Sequence, residues 1–200
     1  MRPTKIHLSP EEKALVLDPG WILTKRSIMD KVGVLLGELA ERYRARAALS
    51  NTLGEDMKGR FPKLSRGENY RGLPYMILDY PAVFDREHVF AIRTLFWWGH
   101  YFSLTVHLKG HYRDRYLPAL LEGLMGARGR EWYLAVSEDE WVHAVGAGDY
   151  IRIGDLQDTQ RAAVAGRSFF KMTWVIPLDQ WDNLCDRLEE RFGEILEWMG

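Results

Sequence analysis

The sequence predicts an α+β protein, an antiparallel meander of about five to six strands packed on one face by N-terminal and C-terminal helices. Three observations carry this expectation. Apolar residues recur at helical spacing near both ends of the chain. The middle carries short runs rich in β-branched and aromatic residues that alternate with period two. The connections between those runs are short, as hairpins need and as parallel crossovers do not allow.

At the N-terminal end, Ser9-Pro10-Glu11-Glu12 has the chemistry of a helix start, with Ser9 as cap, Pro10 in the first helical position and Glu12 closing a capping box. Asp18-Pro19-Gly20 breaks that helix. A second helix follows from about Lys25 to Ala47, where Ile28, Val32, Leu35, Leu36, Leu39 and Tyr43 form one stripe. Gly33 and Gly37 fall inside it and suggest close approach of another backbone. Residues 50–73 have no apolar period and are punctuated by Gly, Pro, Ser and Asn, which reads as a surface loop.

Residues 74–176 hold the expected sheet with short helices. Candidate strands are Pro74 to Tyr80, Val89 to Trp97, Tyr101 to Leu108, Trp132 to Val136, Tyr150 to Ile153 and Ser168 to Ile176. Trp98-Gly99-His100 is short enough to close a hairpin. Helices are expected over Arg113 to Met125, around Thr159 to Val164, and from Ser137-Glu138-Asp139-Glu140, which again has capping-box chemistry. Residues 178–199 form the clearest element, a helix with Trp181, Leu184, Cys185, Leu188, Phe192, Ile195 and Met199 on one face. The whole is read as one α+β domain behind a helical N-terminal segment, residues 1–49.

With 27 basic and 28 acidic residues, the balanced charge gives no global attraction to nucleic acid or anionic lipid. A single cysteine, Cys185, excludes an internal disulfide; together with the lack of a signal-like or membrane-length apolar run it gives a cytoplasmic, non-membrane expectation. Eight tryptophans are many for 200 residues. Most should pack in the core, and exposed ones would suggest a protein interface.

Chemistry-bearing residues are few. Strand alternation assigns Tyr101, Ser103, Thr105 and His107 to one face and Phe102, Leu104, Val106 and Leu108 to the other. If the strands share a sheet, Arg93, His107, Arg152 and Lys171 gather on the face away from the helices, with Tyr101, Tyr133 and Trp97. Cations interleaved with aromatics suit an anionic or planar ligand, whereas a solvated sheet face is the plain alternative. Asp79 ends an apolar run before Tyr80-Pro81 and is either a buried carboxylate with Arg93 or Lys171 as partner, or a turn residue. The basic stretch from Lys58 to Arg71, with Arg66 and Arg71, could hold phosphate or a nucleic-acid backbone. His100, His107 and His111 do not reproduce a metal motif, Gly146-Ala147-Gly148 is not a phosphate cradle, and no serine sits in a nucleophile elbow. No metal or cofactor is therefore expected.

The leading functional expectation is a non-catalytic binding or interaction domain using the polar cation-aromatic sheet face. Its partner would be an anionic small molecule or a protein, including a second copy of the chain. The alternatives are a small hydrolase or transferase acting on an anionic substrate with Asp79 and His107 as acid and base, aided by Arg93 and Lys171, and a nucleic-acid-associated protein using the 58–71 stretch, which the neutral charge disfavours.

Overall fold

The computed structural model describes residues 6–146 and 148–200, apart from the side chains of residues 158, 161 and 162. Its elements are helices α1 (Pro10–Leu17), α2 (Pro19–Leu49), α3 (Glu55–Lys58), α4 (His111–Met125), α5 (Asp158–Ala165) and α6 (Leu184–Trp198), and strands β1 (Lys63–Tyr70), β2 (Leu73–Phe84), β3 (Val89–Trp97), β4 (Tyr101–Lys109), β5 (Tyr133–Ala135), β6 (Tyr150–Arg152) and β7 (Phe169–Pro177). All strands join one antiparallel sheet in the order β1-β2-β3-β4-β7-β5-β6. The α+β class and the helices at both ends match expectation.

The sheet has seven strands rather than five or six, and it is a meander only from β1 to β4. β7 inserts between β4 and β5. Burial explains the order: β4 and β7 are buried along almost their whole length, so they take central places, while β5 and β6, three residues each, sit at the margin. The seventh strand, β1, lies inside the segment 50–73 read as a surface loop, together with α3. Its sequence, KLSRGENY, lacks an apolar alternation because it is an exposed edge strand that needs no buried face.

One face of the sheet carries Met76, Leu78, Phe90, Ile92, Phe96, Phe102, Leu104, Val106, Phe170, Met172 and Trp174, which form a continuous core with α2, α4 and α6. The stripe predicted on α2 is the one that packs: Val32, Leu36, Leu39 and Tyr43 are fully buried. Tyr43 stacks on Phe192 of α6 with ring centroids 4.0 Å apart. Its hydroxyl bonds Thr94 Oγ1 at 3.1 Å and donates to the Leu188 carbonyl at 3.4 Å, tying both helices to β3. We expect Tyr43→Phe to cost about 1–2 kcal/mol, because the deletion leaves the buried Thr94 hydroxyl with one partner fewer. A chemical-denaturation midpoint unchanged from the parent would contradict that role.

The close helix contact expected at Gly33 and Gly37 is not there; a methyl at Gly33 would meet only Met76 Cε at 3.5 Å, and at Gly37 nothing within 4 Å. Close approach occurs instead at Gly123 of α4, where any Cβ would lie 2.3 Å from the Trp198 indole of α6. The helix expected from Ser137 does not form. Residues 137–146 run as an irregular strap, and the side chains of Ser137 and Asp139 hold only local turns. Capping chemistry alone does not make a helix where no apolar stripe follows it.

Candidate functional site

Strand register settles which predicted residues share a face. Asp79, Arg93, Thr105, Thr173, Tyr133 and Arg152 form one cross-strand row running from β2 to β6. Ala91, His107 and Lys171 form the next row. Both rows lie opposite the helices, as alternation predicts. Arg152, however, is four strands from Arg93, roughly 19 Å at the ~4.8 Å strand spacing. It is exposed and donates to the Arg130 carbonyl at 3.2 Å, so it belongs to no cluster with the others.

The face is not open. The strap lies across Arg93, His107 and Lys171, leaving His107 4% and Lys171 1% exposed. A segment without regular secondary structure must have its backbone groups satisfied some other way when it is covered. Here the sheet supplies side chains as posts. Tyr70 Oη accepts from the amides of His143 and Ala144 at 2.8 and 2.9 Å. Tyr101 Oη accepts from Val145 N at 2.7 Å and donates to the His143 carbonyl at 3.2 Å. Tyr150 Oη donates to the Val142 carbonyl at 2.8 Å, and Lys171 Nζ reaches the carbonyls of Glu140 and Val142 at 2.9 and 2.6 Å. Burial pushes the Tyr101 hydroxyl up to about 12 and the Tyr150 hydroxyl well above the usual tyrosine range.

Beneath the strap runs a chain of polar contacts. Asp79 is not a turn residue: β2 continues past it to Phe84, and its carboxylate holds Arg93 in a two-pronged pair, 2.7 Å to Nε and 2.9 Å to Nη2. Arg93 Nη1 then meets His143 Nε2 at 3.0 Å, and His143 Nδ1 meets Lys171 Nζ at 3.2 Å. Proton counting fixes the roles. A guanidinium only donates, so His143 Nε2 accepts and the single proton of the neutral ring sits on Nδ1. That proton points at Lys171, whose nitrogen must therefore offer a lone pair. A neutral amine meets every demand, donating two hydrogens to the two carbonyls and accepting from His143. Burial first, and the Arg93 charge second, lower the Lys171 ammonium to about 7. The same burial, with Lys171 and Arg93 close by, holds His143 well below the ordinary histidine range.

His107 is separately occupied. Its Nε2 lies 3.0 Å from Glu140 Oε2, and the other Glu140 oxygen takes Lys109 Nζ at 2.7 Å. Trp141 and Phe169 flank the ring edge-on. Burial lowers the His107 pKa despite Glu140. Asp79 and His107, the residues predicted as acid and base, thus have both carboxylate oxygens and the Nε2 nitrogen committed to protein partners. The best-formed surface cavities are lined by neither of them.

The basic stretch also changes character once it is a strand. Lys63 pairs with Asp79 on the strap side, while Arg66 pairs with Met76 and faces the helix side, where it joins Lys25 and Glu68 in a groove beside α2. Arg71, at φ 52° in the β1–β2 turn, lies 3.8 Å from Asp149. Arg60 is exposed and Lys58 pairs with Glu55. The cations do not form one patch. Among the described residues no group of three or more His, Cys, Asp or Glu side chains is arranged to hold a metal ion. No described helix is long and apolar enough to cross a membrane. Ala147 of the Gly146-Ala147-Gly148 tripeptide lies outside the described residues.

The surface that sequence reasoning missed is apolar. Residues 6–24 are exposed throughout, although they include Ile6, Leu8, Leu15, Val16, Leu17, Trp21, Ile22 and Leu23. α1 buries nothing, and the first buried residue of α2 is Met29. The capping box at Ser9 is formed, with Glu12 N to Ser9 Oγ at 3.1 Å and Ser9 N to Glu12 Oε2 at 2.7 Å. Trp21 Nε1 donates to the Leu15 carbonyl at 3.2 Å across the α1–α2 joint. Beside this arm, a groove of about 690 Å³ runs between α2 and the start of α6, walled by Leu23, Val34, Leu35, Trp181 and Cys185. Burial raises the Cys185 thiol above its ordinary pKa, so it is a wall rather than a nucleophile. The consecutive apolar residues of ALVL and WIL were the available signal, since α1 has no polar face to match them. No family model matches this chain, and neither a curated protein nor a solved structure matches it.

Proposed function

We propose that the chain is a non-catalytic interaction protein whose docking surface is the apolar N-terminal arm together with the α2–α6 groove, not the polar sheet face. The observation that carries this reading is the arm itself: a well-capped helical segment whose apolar residues stay exposed among the described residues. Single exposed apolar residues are ordinary, but a contiguous exposed patch marks a surface meant to be covered. An exposed tryptophan, Trp21, and the apolar groove alongside fit the composition of protein interfaces. The sheet face is a poor competitor, because its polar side chains are spent on holding the strap.

The test combines light scattering with binding of an anilinonaphthalene sulfonate dye on the same samples of the full chain. A covered patch gives an oligomer that falls to monomer in the Leu23→Glu/Val34→Glu variant. An open patch gives a monomer that binds the dye and loses it in that variant. A monomer whose dye fluorescence ignores these substitutions overturns the reading.

A further inference from the structure

We propose that residues 137–146 are an acid-released lid: the strap lifts from the sheet as one segment when the groups beneath it take up protons, while the sheet and the helices stay folded. The lid lies on the face of the sheet away from α2, so it is independent of the docking surface and either can fail without the other. The seat of His143 carries the inference. Its ring lies between Arg93 Nη1, 3.0 Å from Nε2, and Lys171 Nζ, 3.2 Å from Nδ1. One arrangement of protons fits this seat, a neutral His143 beside a Lys171 that lends a lone pair. A proton on Lys171 turns an ammonium against the His143 Nδ1 hydrogen. A proton on His143 turns a second ring hydrogen against the guanidinium. Either one sets donor against donor and cation against cation.

No neighbouring acid is free to relieve this. On β2, Asp79 has both oxygens on Arg93. Within the strap, Glu140 spans His107 and Lys109 of β4, and Asp139 takes the Trp141 amide. Tyr70 of β1, Tyr101 of β4 and Tyr150 of β6 are phenols bonded to the strap backbone. His107, in register with Lys171, adds a further proton site under the strap.

The strap is also built to move alone. Ala144 is its one buried residue, whereas the continuous core lies on the other face of the sheet, so lifting the strap exposes little apolar surface. At one end Arg167 clamps the carbonyls of Val136 and Ser137. At the other, Gly146 and Gly148 hold φ 130° and 85°, a region that glycine enters freely. A fixed end and a glycine end make a hinge.

The sign of the pH effect follows from burial. Uncovered, Lys171 binds its proton with a pKa of about 10.4 and each histidine with one of about 6.5. Covered, Lys171 is lowered to about 7, and both histidines are lowered too. The closed strap therefore binds fewer protons and is favoured in base. Its advantage falls about tenfold per unit from about pH 10 to about pH 7 through Lys171, and falls again below about pH 6.5 through His143 and His107. The face then uncovered carries Arg93, His107 and Lys171, all charged under the condition that frees them.

Hydrogen–deuterium exchange of the full chain, with labelling times scaled for the intrinsic effect of pH, tests the lid at the amides of His143, Ala144 and Val145. Their protection should fall by about tenfold or more from about pH 6 to about pH 5, and at every pH it should stay well below that of β3 and β4. His143→Gln keeps an acceptor for Arg93 but takes up no proton, and should remove about a factor of ten from that fall. The wild-type comparison needs no substitution. Strap protection that does not change over this range, or that equals the protection of β3 and β4 throughout, overturns the lid. So does a His143→Gln variant that shows the whole wild-type fall.

Discussion

Asp79→Asn is expected to destabilise the protein by about 3–5 kcal/mol, because it removes one half of a buried ion pair and leaves the other half in place. An exposed pair would cost no more than about 1 kcal/mol, so magnitude separates the two situations. The Asp79 and Arg93 side chains are only 6% and 14% exposed, and the pairing is two-pronged. Asparagine has the shape of aspartate, but it turns one acceptor into a donor that meets Arg93 head-on. The Arg93 charge also orients His143, so the loss should spread to the strap. Urea titrations would show the midpoint falling with little change in slope. A second variant, Asp79→Asn/Arg93→Met, should recover part of the loss by removing the stranded charge. A loss below about 1 kcal/mol for the single substitution would refute the buried-pair account.

The second large effect is in the response to pH. Lys171 titrates at about 7 in the folded chain and near 10.4 in the unfolded one. Below pH 7 both states carry its proton. Between about pH 7 and 10 the unfolded chain carries it and the folded chain does not, so stability rises with pH through that window, with a limiting slope near 1.4 kcal/mol per unit. The histidines act lower down. His143 and His107 are held below the ordinary histidine value, so the unfolded chain gains protons first as pH falls through about 6.5, and stability falls with it. Burial raises the hydroxyls of Tyr43, Tyr101 and Tyr150, whose folded forms stay protonated longer, so their influence is felt above about pH 10 and runs the other way. Unfolding free energies measured from pH 5 to 9.5 should therefore climb where most domains are flat. Lys171→Met should flatten the limb above pH 7 specifically. A flat wild-type profile there, or an undiminished slope in the variant, would show that Lys171 stays charged.

What the sequence made legible, and what it did not, follows from the range over which each signal acts. The helical stripe of α2 and the alternation of apolar and polar faces in β4 and β7 are local patterns, and each appears where it was read. The same alternation puts Arg93, His107 and Lys171 on one face, where the register also has them, because period two is a property of the strand alone. β1 escaped because an edge strand is specified by the neighbour it pairs with, not by its own apolar content. The strap escaped for a related reason. Nothing in EWVHAV announces that it lies on a sheet, since its partners are Tyr70, Tyr101, Tyr150 and Lys171, each distant or offset in the chain. His143 belongs to no motif in the sequence, yet it links Arg93 to Lys171. Arg152 failed because sharing a face is not sharing a neighbourhood; the position of β6 in the strand order had to be known.

The insertion of β7 between β4 and β5 also has a kinetic meaning. β1 to β4 are joined by tight hairpins and close early, since neighbouring residues meet with little loss of chain entropy. β4 must then wait for a strand that follows it by some sixty residues, and until that strand docks, one long central edge of the sheet stands unpaired. A newly made chain therefore passes through a half-built sheet whose open border offers unpaired backbone groups and the apolar side chains Phe102, Leu104, Val106 and Leu108, and its hazard of misassembly is concentrated in the interval before Phe169–Pro177 emerges.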